Sequence, residues 1–200
     1  MKACIVVGGG PSAPDHYDWM RAAALPIIAP STMLIPLQSA GFTVDACCVF
    51  DCSHLIAFHF FGADLSGLLV HCPHVYTEGW ARKREFITDG PSVLNYAVDY
   101  ALSQGFDTIH LVGADFCFRD GQSHAVGVTT SYQPDPRLCL RRDGVLTNVS
   151  LIHFRDALER RISTGGASFI RHGSGLPVAG VELASVGAVR EECSHGAGGG

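Results

Sequence analysis

The chain has 200 residues, of which 47% are apolar and 16% charged. That composition excludes a disordered chain, and the length fits one globular domain, or one with a small appendage, burying roughly 70% of the unfolded surface. A net charge of -5 argues against a nucleic-acid partner, because neutralising phosphates takes a basic face. No segment reads as a membrane span or signal peptide, so a cytoplasmic protein is expected, with its oligomeric state, homo-oligomer included, left open.

Residues 3–7 form an apolar, β-branched run that stops at Gly8-Gly9-Gly10-Pro11, the pattern of a buried parallel strand followed by a tight loop. A short helix is expected from Pro14, with Asp15 and Asp18 near its positive end. Residues 26–29 read as a second strand. Ser31 is placed to cap the next helix, which Pro36 must kink or interrupt. Residues 44–50 give a third strand ending at Asp51, residues 55–61 a helical stretch, and residues 68–72 another strand. The segment through Trp80 to Arg84 reads as a surface excursion.

From Val93, apolar residues at 93, 94, 97, 98, 101 and 102 make one helical stripe that Gly105 ends. Residues 108–112 are a strand leading directly to Gly113-Ala114-Asp115, and residues 116–145 are loop-rich with a turn at Arg142-Asp143-Gly144. A helix over residues 150–162 and a strand over 167–171 follow. Strands alternating with helices predict an α/β fold: a single three-layer domain, Rossmann-like, with a mainly parallel sheet. The domain is expected over residues 1–190, with a disordered glycine-rich tail over 191–200. The eight cysteines show no paired CxxC spacing and read as reduced, mostly buried thiols.

In such sheets ligands bind outside the carboxyl ends of the strands. Three features fall there. Gly8, Gly9, Gly10, Pro11 and Ser12 form a loop whose amides and following helix start suit a phosphate, although the loop lacks both a Walker lysine and the dinucleotide fingerprint. Asp51 and Asp115 each follow an uncharged strand and together could share a magnesium ion. Either could equally cap a helix or hold a loop. His124, in the polar run Asp120-Gly121-Gln122-Ser123-His124, is a candidate proton carrier or a loop-ordering hydrogen bonder. Ser92 and Asn95 open the helix before the Asp115 strand, as a cap or as a second nucleotide contact.

Four motifs in order carry a resemblance: GGGPS at 8–12, GPSVLNYAVDYALSQGFDTIHLVGADF at 90–116, DGQSHAVG at 120–127 and GSGLPVAGVEL at 173–183. Together the chain resembles the MptE-like 6-hydroxymethylpterin diphosphokinase family, which also contains the domain of Maf flagellin glycosyltransferases. The resemblance implies a nucleotide-dependent transferase. Some members move diphosphate from ATP, with magnesium, onto the hydroxymethyl group of a dihydropterin; relatives act as nucleotide-sugar glycosyltransferases. Carried onto matching positions, Gly8, Gly10, Pro11 and Ser12 would meet nucleotide phosphate, Ser92 would line the second loop, and Asp51 and Asp115 would serve metal or substrate. One departure stands out: where the diphosphokinases carry an acidic pair, this chain has Asp51-Cys52-Ser53, which weakens magnesium binding there.

Three readings follow. The first is ATP-dependent diphosphate transfer, with Asp51 or Asp115 on the metal and His124 assisting the attacking hydroxyl. The second is sugar transfer from a nucleotide donor, with the glycine loop and the Ser92 helix start cradling the nucleotide and His124 as base. The third is a nucleotide-binding module without catalysis. In each, the partners are a small-molecule nucleotide and, for the first two, an acceptor.

Overall fold

The computed structural model describes residues 1–50, 54–72, 82–83, 91–128 and 135–184. Ten strands and four α-helices occur among them: β1 Ala3–Val7, α1 Tyr17–Ala23, β2 Ile27–Pro30, α2 Ser31–Ser39, β3 Ala46–Cys48, β4 Leu69–Cys72, β5 Arg82–Lys83, α3 Val93–Ser103, β6 Thr108–Val112, β7 Cys139–Arg142, β8 Val145–Asn148, α4 Val149–Gly165, β9 Ser168–His172 and β10 Glu182–Leu183. Short 3-10 turns at Ala13–His16 and His54–His59 precede α1 and β4.

Eight strands build one all-parallel sheet in the order β10-β9-β6-β1-β2-β3-β4-β5. The chain starts in the middle at β1, winds outward through β2, β3 and β4, then returns to lay β6 on β1's other side. The reversal point therefore lies between β1 and β6.

The central strand is apolar on both faces because helices cover both. Cys4 and Val6 belong to one core with α3 and α4, including Tyr96, Val98, Leu158 and Ile162. Ile5 and Val7 belong to the other, with Met20 of α1 and Met33, Leu34 and Leu37 of α2. The three-layer arrangement is thus written into alternate residues of a five-residue strand. Burial also pushes the Cys4 and Cys47 thiols up to about 12, so they act as small apolar side chains.

Several local expectations hold. Ser92 caps α3, accepting from the Asn95 amide at 3.4 Å, and Gly105 (φ +76°) follows its end. Asn148 caps α4 through the Leu151 amide at 2.9 Å. Others shift. The loop-rich stretch contains an antiparallel hairpin, β7–β8, turned at Asp143 and Gly144, both at positive φ, as a two-residue hairpin turn requires. Helix α2 runs through Pro36, and Ser31 is its first residue rather than its cap: Pro30 stands at the cap position and makes no side-chain capping bond. The basic pair Arg82-Lys83 pairs with β4 as a sheet edge. The tail at 191–200 lies outside the described residues. No helix among the described residues is long and apolar enough to cross a membrane.

Candidate functional site

Beyond the carboxyl ends of β1, β2, β3 and β6 lies a cavity of about 610 Å³, within the range of small-molecule sites and at the sheet's reversal point, where such folds bind ligands. Gly9 and Gly10 from the β1 end, and Gly113 to Cys117 from the β6 end, form its floor. Pro30, Ser31 and Thr32 at the start of α2 form one polar edge together with His59. Phe50, Leu94, Leu151 and Phe154 give the apolar side.

The glycine loop is tied down by its neighbours. The Gly8 amide donates to the Val112 carbonyl at 2.6 Å, the Gly10 amide to the Gly113 carbonyl at 2.8 Å, and the Ser12 amide to Asp115 Oδ2 at 2.7 Å. Pro11 has no N–H. Among the described residues only the Gly9 amide of this loop is left for a ligand. The glycines serve close packing: a methyl group at Gly8 would stand 2.5 Å from the Gly113 carbonyl oxygen, and one at Gly10 2.7 Å from Asp115 Oδ2. Gly113 itself sits at φ +67° with no room for a Cβ, 2.6 Å from the Gly8 carbonyl oxygen.

Asp115 is 2% exposed and both its oxygens are engaged by Ser12, Oδ1 accepting from the hydroxyl at 2.6 Å. Burial raises its pKa from the ordinary carboxylate value, opposed by the Ser12 bonds and by the Arg171 and His16 charges. The C-terminal glycine motif wraps this pair. The Arg171 guanidinium donates to the carbonyls of Leu176 at 2.6 Å and Ser174 at 2.8 Å, and the Leu176 amide donates to the Asp115 carbonyl at 2.9 Å. A methyl group at Gly173 would lie 2.6 Å from Ser12 Oγ. The four motifs of the resemblance therefore meet in space, three of them on Ser12 and Asp115.

His124 lines the cavity. Its ring lies over Gly9, whose added Cβ would come 2.9 Å from Cδ2, and its Nδ1 is 2.8 Å from Ser123 Oγ. Burial lowers its pKa, so the imidazole is neutral near pH 7 and able to accept a proton. Ser92 also lines the cavity. Asn95 does not: it is 2% exposed, with Nδ2 donating to the Phe154 carbonyl at 3.4 Å, and so joins α3 to α4. Gly8, Pro11 and Ser12 lie behind the cavity wall. Asp51 falls outside the described residues.

Of the two acids expected to share a magnesium ion, Asp51 lies outside the described residues, so the described side chains include only Asp115 of that pair. Asp115 spends both oxygens on Ser12, and no group of three histidine, cysteine or acidic side chains among the described residues is placed to hold an ion.

A second serine–histidine pair was not legible in the sequence. Ser31 Oγ lies 2.9 Å from His59 Nδ1, both residues are buried, and both line the cavity. Ser31 follows the end of β2, so the strand-end rule that singled out Asp51 and Asp115 also reaches it; a serine before a helix simply reads first as a cap. His59, inside an apolar stretch, carries no sequence signal.

No protein-family model and no curated protein matches the chain. Among solved structures it is similar to the MAf glycosyltransferase from Magnetospirillum magneticum AMB-1, with a TM-score of 0.73 and 18% identity over 92% of this chain. The chain spans 33% of that protein's length. The likeness shows the fold.

Proposed function

We propose that the chain is a nucleotide-dependent transferase unit that moves a sugar from a nucleotide-sugar donor held in the cavity between β1, β2 and β6. The observation that carries this reading is the cavity itself: it sits at the reversal point of the sheet and pairs an apolar side with a polar edge. The apolar side, with Phe50 and Phe154, suits a base or sugar face. The first turn of α2, whose cap residue Pro30 makes no side-chain bond and which bears Ser31 and Thr32 at the cavity, suits a phosphate. The Gly9 amide and His124 complete that edge. The fold likeness to a glycosyltransferase supports the same assignment.

Diphosphate transfer from ATP is the competing reading. A triphosphate in transfer needs metal or cationic side chains to meet its charge. The described lining residues include no lysine or arginine, and the described acids form no ion site. Those two features favour a donor with fewer phosphates.

Thermal shift with CMP, CDP, UDP, GDP and ATP, each with and without magnesium, tests the reading. A nucleoside mono- or diphosphate at about 100 times its Kd should stabilise the fold by about 2.7 kcal/mol, raising Tm by about 5–10 °C without metal. A magnesium-dependent shift confined to ATP would overturn it in favour of diphosphate transfer.

A further inference from the structure

We infer that Ser31 and His59 form the proton relay of this cavity: the hydroxyl attacking the donor gives its proton to Ser31 Oγ while the Ser31 proton passes to His59 Nδ1. The inference rests on the transferase reading above and assigns the acid–base step to a pair distinct from His124.

Three observations carry it. The Ser31 Oγ to His59 Nδ1 distance is 2.9 Å, a hydrogen bond already formed before any ligand arrives. Both residues line the cavity while being only 4% and 7% exposed, so the pair is shielded and still borders the ligand space. Finally, Ser31 is turned away from the usual task of a serine at a helix start. Pro30 holds the cap position and makes no capping bond, although a serine cap is worth about 1 kcal/mol. The hydroxyl is spent on the imidazole.

In the step, the acceptor O–H bond breaks and its oxygen bonds to the transferred sugar carbon. The bond from that carbon to the donor phosphate oxygen breaks, and the electron pair leaves with the phosphate. The released proton ends on His59. With water as acceptor the same relay hydrolyses the donor. Ser31 is the residue that touches the reacting oxygen; His59 is the terminal proton acceptor.

The test uses the full chain with CMP-, UDP- and GDP-sugars, following nucleotide release, with nucleotide thermal shifts read in parallel. Ser31→Ala should lower turnover about 10²–10⁴-fold, far more than it lowers the nucleotide shift, and Ser31→Thr, which keeps the hydroxyl, should recover most of the turnover. Nitrogen-15 spectra of histidine-labelled wild-type protein supply an independent reading that needs no variant: His59 Nδ1 should be unprotonated. Turnover within threefold of wild type in Ser31→Ala, or a protonated His59 Nδ1, would overturn the relay; loss in His124→Ala alone would move the role to His124. Nucleotide binding with no turnover of any sugar donor by wild type would also overturn it, leaving a binding module. No nucleotide shift at all would instead sink the transferase reading on which it rests.

Discussion

The two polar edges of the cavity are built on opposite principles. At the β1–β6 edge, the loop amides other than that of Gly9 have protein partners: those of Gly8, Gly10 and Ser12 donate across to Val112, Gly113 and Asp115, and Asp115 is closed in by Ser12 and by the loop that Arg171 organises. At the β2 edge, α2 begins after Pro30, which makes no capping bond, and a hydroxyl–imidazole pair borders the open volume. One edge is a clasp between strand ends, and the other is equipped to meet a ligand. A glycine-rich loop after a strand is therefore ambiguous until its amides are accounted for: here they close the sheet's reversal point and give the cavity a rigid floor.

This contrast breaks first at the glycines. Gly10→Ala should be severely destabilising, by about 3 kcal/mol or more, because its Cβ meets Asp115 Oδ2 at 2.7 Å and lies closer still to the Gly113 carbonyl. Both are held by the bonds just described and neither can retreat. Gly9→Ala meets only the edge of the His124 ring, at 2.9 Å, a side chain that can rotate. It should cost about 1 kcal/mol or less and act mainly on ligand affinity. Urea midpoints of the two variants, with nucleotide shifts of each, separate clasp from ligand edge. Equal destabilisation by both would erase the distinction.

Ser12→Ala sharpens it at a smaller scale. Asp115 Oδ1 loses its hydroxyl donor in a buried site, a cost of about 1–3 kcal/mol, while the Ser12 amide still holds Oδ2. Because Ser12 lies behind the wall, nucleotide affinity should stay within about twofold. A large loss of affinity with unchanged stability would return Ser12 to the role of phosphate contact that its sequence position suggested.

The fold was legible because the central strands are buried on both faces and two of the four α-helices, α3 and α4, carry their own caps. β1 is an uninterrupted apolar run, β6 buries Ile109, Leu111 and Val112, and α3 shows its stripe, its Ser92 cap and its Gly105 stop. The two-residue strands β5 and β10 were not legible, since a pair of residues has no periodicity and owes its pairing to the neighbouring strand. In the site, position was readable and role was not. The strand-end rule placed the glycine loop and Asp115 at the right edge, but Ser12 and Asp115 are 103 residues apart and no local pattern says that each satisfies the other. Ser31 carried the local signature of a cap and lost that task to a histidine 28 residues away.

The smallest expected effect lies on the α1–α2 side of the sheet, on the same clasp but away from the cavity. His110 of β6 and His172 of β9 sit on adjacent strands, with Nδ1 of the first 3.0 Å from Nε2 of the second. Trp19 stacks on His172 at 3.6 Å between centroids, and His16 meets it edge-on at 6.0 Å. Burial, and then the neighbouring His110 and His16, lower the His172 pKa from 6.5 to about 4. Above pH 6.5 the ring is neutral in both the folded and unfolded chain, so stability does not depend on it. Below 6.5 the unfolded chain binds a proton that the folded chain refuses until about pH 4, so stability falls across that window. Solvent at the half-buried His110 keeps the loss to about 1 kcal/mol, or about 2–4 °C in Tm. His172→Gln, which keeps a polar side chain beside His110 but takes up no proton, should flatten the Tm profile between pH 6.5 and 4. An unchanged slope in that variant would assign the acid sensitivity to other groups and leave the histidine pair as packing between the two strands.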